Sequence, residues 1–462
     1  MSATAPVGVG QTDTTVGIPA GPRWPAWWTT WKFLKDRKAM IPVLHERFGD
    51  TFSIKILPGP RTFVIFSDPA DVKEIFAADP SQFHAGEGNA ILEPVMGSHS
   101  LLIVDDEEHR RSRKLLMPAF SGPTMKAYRP LVEAIAAAEV DSWNDGDTLI
   151  TLDRMNAITL DVILQVVFGV TDEERLAVLR PKVRKMVNIN ASMLLAWSYP
   201  GLFRVPPWRG YFKNQQEVDE ILFAEIRERR AEHDLEGRAD VLSRLLRAGE
   251  DDTEPGGGSG PRAEDNTAPL SDREMRDQLV TLLLAGHETT ASALSWTLHE
   301  LGRHPDLLKR AVEAADGSAV DGDDAFLDAC LKEAMRVHPV IDFVARTLQS
   351  EQVVAGRTLP RKVTVTPSIM LSHSREANFA DAHEYRPDRF LTQGEVAANT
   401  WIPFGGGVRR CIGAAFSLME GAAVLGEVLR RYEVTADQPA PNRLRNITNV
   451  PSDKAPLRLH AR

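Results

Sequence analysis

Alternation of apolar and polar residues is confined to a few stretches of the chain. TFSIKIL and RTFVIFS, between Thr51 and Ser67, read as two strands split by Pro58-Gly59-Pro60, a turn signal. Helical patterns dominate the long middle. Strand-like segments return after Glu351, in RTLPRKVTVTPSIML and near the C-terminus. The pattern therefore predicts a mainly α fold with a small β region. Residues 1–20 are small and polar and are expected to form a disordered tail. Residues 21–462 are expected to form one domain. Residues 250–270, EDDTEPGGGSGPRAEDNTAPL with its leading Glu250, are acidic and rich in Gly and Pro, and are expected to be a flexible internal loop.

The loop ends in Ser271-Asp272-Arg273-Glu274, the spacing of a capping box, so a helix is predicted to start there. Met275, Leu279, Leu282, Gly286, Thr289, Ala293 and Trp296 then form one stripe at steps of three and four. The middle of that stripe is glycine and threonine, with Ala285 and Glu288 adjacent. Gly286 costs the helix about 1 kcal/mol relative to alanine. Two explanations stay open: a crossing point for a second helix, or a hollow for a flat ligand with an acid and an alcohol beside it. In FLDACLKEAMR, Glu333 and Arg336 lie three apart, opposite the face of Leu327, Cys330, Leu331 and Ala334. Spacing alone makes them a solvent-exposed ion pair.

Composition narrows the functions. The 462 residues carry a net charge of −10, which offers no general basic field for nucleic acid. No apolar run reaches the roughly 18 residues of a membrane span, and the N-terminus has no secretion-signal pattern. Two cysteines, Cys330 and Cys411, cannot build a disulfide framework, so a cytoplasmic location is expected. GPRWPAWWTTWKFLKD, from Gly21, holds four tryptophans beside Lys and Arg. It either packs on the domain or touches a membrane surface peripherally.

Cys411 sits in FGGGVRRCIG, directly before the strongly helical run Ala414 to Leu429. A zinc site would need further Cys or His at ligand spacing, and none stands nearby. A nucleophile would need a His that sequence cannot place. A single thiolate ligand to a large cofactor suits the loop better. Its glycines let the backbone approach a ligand, and a helix N-terminus and neighbouring cations favour a thiolate. Arg409 could pair with a carboxylate of that cofactor.

With these residues in place, the chain resembles the cytochrome P450 family. FGGGVRRCIG is similar to its haem-binding loop, and AGHETT, Ala285 to Thr290, resembles its oxygen-activating segment. KEAMR, Lys332 to Arg336, resembles its Glu-x-x-Arg motif. YRPDRF, Tyr385 to Phe390, resembles the segment that adds a second arginine, Arg389. EEHRRSRKLL, Glu107 to Leu116, resembles the helix whose His and Arg meet a haem propionate. His109 stands where many members have tryptophan, and Asp388 replaces the commoner glutamate.

The resemblance implies a helix-rich prism with haem b between the central helix and the cysteine-loop helix, held by Cys411 as axial thiolate. It implies that Thr289 hydrogen-bonds dioxygen, that Glu288 relays protons, and that a kink at Ala285-Gly286 opens the oxygen groove. Phe404, Gly405 and Gly413 would shape the haem loop. His109, Arg113, Arg346 and Arg409 would meet the propionates. Glu333, Arg336 and Arg389 would be a buried structural triad. Substrate would meet the Ala85–Val104 loop, the ASMLLAWSYPGLF segment, Ile341, Val344, Thr448 and Val450, mostly apolar positions that suit a fatty acid, terpenoid or steroid-like molecule. The implied enzyme is a monomeric, bacterial-type monooxygenase that hydroxylates such a substrate. A ferredoxin and its NAD(P)H-dependent reductase would supply electrons, docking on a basic patch of Arg110, Arg111, Lys114 and Arg410. The alternatives are a peroxide-dependent or isomerase-type member, or a non-catalytic haem- or lipid-binding protein.

Overall fold

The computed structural model describes residues 15–57, 61–170, 172–187, 200–232, 235, 237–248, 269–317, 324–445 and 447–462. Residues 1–14, most of the Gly- and Pro-rich loop and residues 191–199 of the expected pocket therefore lie outside the described residues. Contacts divide the chain into two compact units, where the sequence pattern suggested one domain over 21–462. The smaller comprises residues 1–84 and 343–368, the larger 85–342 and 369–462.

The smaller unit is built on a five-stranded sheet. Its spatial order is β2 (Thr51–Ile56), β3 (Arg61–Phe66), β9 (Thr364–Pro367), β6 (Arg346–Leu348) and β4 (Phe83–His84). The predicted strands β2 and β3 pair antiparallel, Thr51 opposite Phe66. Their inward residues Val64 and Phe66 pack with Ile75, Leu348 and Val365 in an apolar core. A second sheet joins β7 (Gln352–Val354) to β8 (Arg357–Leu359), and β1 (Thr15–Val16) adds to β8 in parallel. The expected tail therefore ends earlier than position 20. Backbone pairing recruits Thr15–Val16, and Pro19 accepts the Ser53 hydroxyl at 2.7 Å. Helix α1 (Ala26–Phe48) bends at Asp36, which leaves helical φ/ψ. Trp27 is 62 % exposed and Trp31 46 %.

The larger unit is mostly helical. Its elements include α2 (Asp106–Leu116), α3 (Thr151–Phe168), the central α4 (Asp272–Arg303), α5 (Ala325–Val337) and α6 (Ala414–Arg431). The capping box forms as expected: Ser271 Oγ accepts from the Glu274 amide, and Glu274 accepts from the Ser271 amide. Two small sheets complete it. One orders β10 (Tyr432–Thr435), β13 (Pro456–Ala461) and β5 (Thr148–Ile150), and the other is the hairpin β11 (Asn442–Arg445) with β12 (Thr448–Pro451). Core residues Leu283, Leu294, Trp296, Val424 and Val428 place α4 and α6 inside, and α4 buries polar residues such as Gln278, Thr281 and Thr297 as well.

Candidate active site

The middle of α4 resolves the alternatives left open by its stripe. A Cβ on Gly286 would fall 2.7 Å from Ile163 Cδ1, so this glycine serves the crossing with α3. Thr159 Oγ1 on α3 also donates to the His287 carbonyl at 3.0 Å. The accessible positions are next to it: Ala285 is exposed and Thr289 half-buried, between turns that are buried. α4 runs continuously from Asp272 to Arg303, so the expected kink is not a break in the helix. Instead the Thr289 hydroxyl donates to the Ala285 carbonyl at 2.7 Å, which leaves its lone pairs as acceptors. Glu288 is buried and lies 3.2 Å from Arg445.

The cysteine loop turns through Gly405 and Gly407, at φ 63° and 64°, where a side chain would be strained. The Cys411 amide closes the turn by donating to the Phe404 carbonyl at 2.9 Å. Phe404 packs on the core and edge-on against Trp401. Gly413 precedes α6. Cys411 is accessible, but protein surrounds it. That surround raises its thiol pKa above the ordinary value, while the Gly413 amide and the Arg113 and Arg410 guanidiniums pull it down. Cys330 is fully buried, and burial pushes its thiol far up. The loop reaches the middle of α4 through α6, whose Ser417 hydroxyl lies 3.2 Å from that of Thr290.

The cations separate into different settings. Arg113 on α2 has Cys411 and Arg410 as its charged neighbours, and burial is the largest cause lowering its pKa. His109 is buried one turn earlier on α2. Arg409 is held inside the protein. It pairs with Asp105 and donates to the carbonyls of Leu101, at 3.1 Å, and Val104, at 2.6 Å. Asp105 also accepts from the amides of Ala85 and Gly86 at 3.0 Å, so it ties the arginine to the start of the Ala85–Val104 loop. Asp105 was not legible as a site residue. Arg111 leaves the expected basic patch, because it donates to Glu274 at 2.5 Å and to the Pro269 carbonyl. Arg110 pairs with Glu107, and Lys114 and Arg410 are exposed. Arg346 is buried on β6 of the smaller unit and donates to the Ala345 carbonyl.

Glu333 and Arg336 are not at the solvent, as spacing alone suggested. Both are fully buried, and Arg336 donates to both Glu333 oxygens at 2.7 Å. Arg389 adds a 3.0 Å bond to Glu333, and Arg336 also serves the carbonyls of His373, Ala382 and Glu384. Among the expected pocket residues, Thr448 and Val450 are buried on β12. Asn449 between them donates to Pro339 and Asp342, and its amide to Val340, which brings the half-buried Ile341 close. Val344 belongs to the smaller unit. The Ala85–Val104 loop is bolted to α4: Asp277 accepts from the His99 amide, Gln278 from that of Leu101, and Thr281 meets Ser100.

The family model described as Cytochrome P450 matches residues 19–456, through both units. The chain belongs to the cytochrome P450 family. The putative cytochrome P450 135A1 of Mycobacterium tuberculosis is 46 % identical over 448 residues, 96 % of each chain. The putative cytochrome P450 135B1 of Mycobacterium bovis is 38 % identical, over 97 % of this chain and 92 % of its own. A retinoic acid-bound cyanobacterial CYP120A1 superposes at a TM-score of 0.80 with 22 % identity, covering 96 % of this chain and all of its own, a likeness of fold. The cytochrome P450DA heme domain superposes at 0.77 with 25 % identity, over 97 % and 98 %. As a P450 the chain is a haem-thiolate monooxygenase. The site suits that group: an accessible sulfur beside a donating amide, the Arg113 and Arg410 cations near that sulfur, and a small-residue face on α4. Among the described residues no single helix is long and apolar enough to cross a membrane.

Proposed function

We propose that Cys411 would hold haem b through its thiolate and that the protein hydroxylates a fatty acid, terpenoid or steroid-like molecule with electrons from a ferredoxin and its NAD(P)H-dependent reductase. The observation that carries this is the contrast between the two sulfurs: Cys411 is accessible in its glycine loop, and Cys330 is sealed in the core. Bound haem supplies the iron at which dioxygen is activated and split, favoured by thiolate donation.

The chain's own residues do the rest. The Gly413 amide, Arg113 and Arg410 favour negative charge on Cys411 Sγ. Arg113 and His109 meet the haem carboxylates. Arg409 acts from a fixed position, because Asp105 and two carbonyls hold its guanidinium. Thr289, its proton engaged by Ala285, accepts a hydrogen bond and holds a water. Glu288 passes protons to that water. Ile341, Thr448 and Val450 contact the substrate. The exposed Trp27 and Trp31, among Lys32, Lys35 and Arg37, favour peripheral contact with an anionic membrane, a source of lipophilic substrate.

The test is oxygen uptake by the haem-loaded protein with NADPH and a surrogate ferredoxin and reductase, screened over lipophilic compounds for hydroxylated product. The proposal expects product that depends on ferredoxin. Product formed only from added peroxide would overturn it in favour of the peroxide-dependent alternative.

A further inference from the structure

A buried histidine stands between the charged triad and the cysteine loop. His373 belongs to the short helix Ile369–Ser374 of the larger unit and is sealed from solvent. Its backbone and its ring face different partners. The carbonyl accepts from Arg336 Nη1 at 2.9 Å, which joins it to the triad of Glu333, Arg336 and Arg389. The ring nitrogen Nε2 accepts from the Ile402 amide at 2.9 Å. Phe379, which lies under the Arg336 guanidinium, meets the imidazole edge-on at 6.3 Å. Only an imidazole without a proton on Nε2 can accept there, so the neutral ring carries its proton on Nδ1. The surroundings enforce neutrality. Burial, the largest cause, and Arg336 hold the His373 pKa at about 3, against the opposing pull of the Arg336 and Met335 backbones.

Ile402 opens the cysteine loop. Its carbonyl accepts from the Gly405 amide at 3.0 Å, which begins the glycine turn, and the Cys411 amide closes that turn on Phe404. Next to it, Trp401 donates its indole N–H to the Lys332 carbonyl of α5 at 3.2 Å and packs edge-on against Phe404. A loop built from glycines has wide backbone freedom, so its fixed shape must come from the anchors at its ends. At Ile402 that anchor is a side chain. Ile402 is itself buried, so removing the imidazole acceptor exacts the desolvation penalty of an amide without a partner.

We propose that His373 is a positioning residue whose Nε2 holds the Ile402 amide and so sets the loop that carries Cys411 against the buried charged triad. No proton or electron is transferred; the ring acts through the backbone. The inference rests on the reading of Cys411 as the thiolate that holds haem, and the two are separable by experiment.

The variants are His373→Phe, which keeps a ring and removes the acceptor, and His373→Gln, whose Oε1 can replace Nε2. Leu459→Ala on β13, a fully buried change in a different sheet, is the control. All are full-length and haem-loaded. The first readout is the rate at which the red-shifted Soret band of the reduced, carbon monoxide-bound protein converts to the unshifted form, at urea concentrations of equal global stability. His373→Phe is expected to convert roughly tenfold faster than wild type, the scale of one buried donor left without a partner. His373→Gln and Leu459→Ala are expected to stay close to wild type. The second readout is hydrogen exchange at the Ile402 and Gly405 amides, expected to quicken in His373→Phe alone. The third needs no variant: nitrogen-15 NMR of the diamagnetic carbon monoxide form is expected to show His373 protonated on Nδ1, and it decides the matter if His373→Phe does not fold. An unchanged conversion rate in His373→Phe, an equal acceleration in Leu459→Ala, or a wild-type His373 protonated on Nε2 overturns the positioning role. An unshifted band in wild type overturns instead the reading of Cys411, and exchange at Ile402 then decides the hold of His373 on the loop by itself.

Discussion

Replacing Glu333 by Gln removes the carboxylate shared by two arginines that are themselves 0 % and 1 % exposed. Glu333 Oε1 accepts from Arg336, Arg389 and the Arg386 amide, and Oε2 accepts from Arg336 Nε at 2.7 Å. Glutamine keeps the shape and loses the charge. Its amide nitrogen must also replace one oxygen, so a donor faces a guanidinium donor. Removing one partner of a buried pair costs about 3–5 kcal/mol. Whole domains are stable by only about 5–15 kcal/mol, so the variant forfeits about a fifth or more of that margin. The control is Asp328→Asn on the same helix, which removes the Asp328–Lys332 pair, about a quarter exposed. Partly exposed pairs contribute about 1 kcal/mol or less. The assay is urea unfolding of both variants, followed by tryptophan fluorescence at one protein concentration. The Glu333 variant is expected to lose at least three times the free energy of the control. Equal losses would refute the argument that burial makes the triad costly to break.

Glu420 predicts a pH effect of defined sign. It is fully buried on α6, and burial raises its pKa to about 8, with Thr290 opposing. A raised folded pKa gives stability that is complete below the unfolded value of 4.5 and declines as pH rises through 8. Glu420→Gln has no such decline. Its stability relative to wild type should grow from pH 5 to 8 and then level off, by up to about 4–5 kcal/mol. Denaturant midpoints at several pH values check this, and a constant difference would contradict it. Exchanging Trp27 and Trp31 for Ser should weaken co-sedimentation with phosphatidylglycerol vesicles roughly tenfold, since burying a large apolar side chain contributes about 1.5–3 kcal/mol and these are half-exposed. Unchanged binding would mean that the segment does not meet lipid.

Local signals were legible. The capping box, the β2–β3 strands and the helix after Cys411 depend on neighbours in sequence, and the structure contains all three. What stayed hidden depends on residues brought from afar. Glu333 and Arg336 read as a surface pair because their partners, Arg389 and the carbonyls near His373, are 37 to 56 positions away. Arg409 offered its fork of donors to a ligand, but Asp105, 304 positions earlier, already engages it. Arg111 looked like part of a docking patch until Glu274 came within 2.5 Å. Gly286 and Ala285 looked interchangeable, and only the position of Ile163 shows that one serves packing while the other is accessible. Arg445 carried no motif at all.

The central claim is that Cys411 binds haem iron as a thiolate. The most direct measurement is the absorption spectrum of the reduced, carbon monoxide-bound protein, compared with its Cys411→His variant. The account predicts a strongly red-shifted Soret band in the wild type that the variant loses. An unshifted band in the wild type, or a shifted band that persists without Cys411, would contradict it.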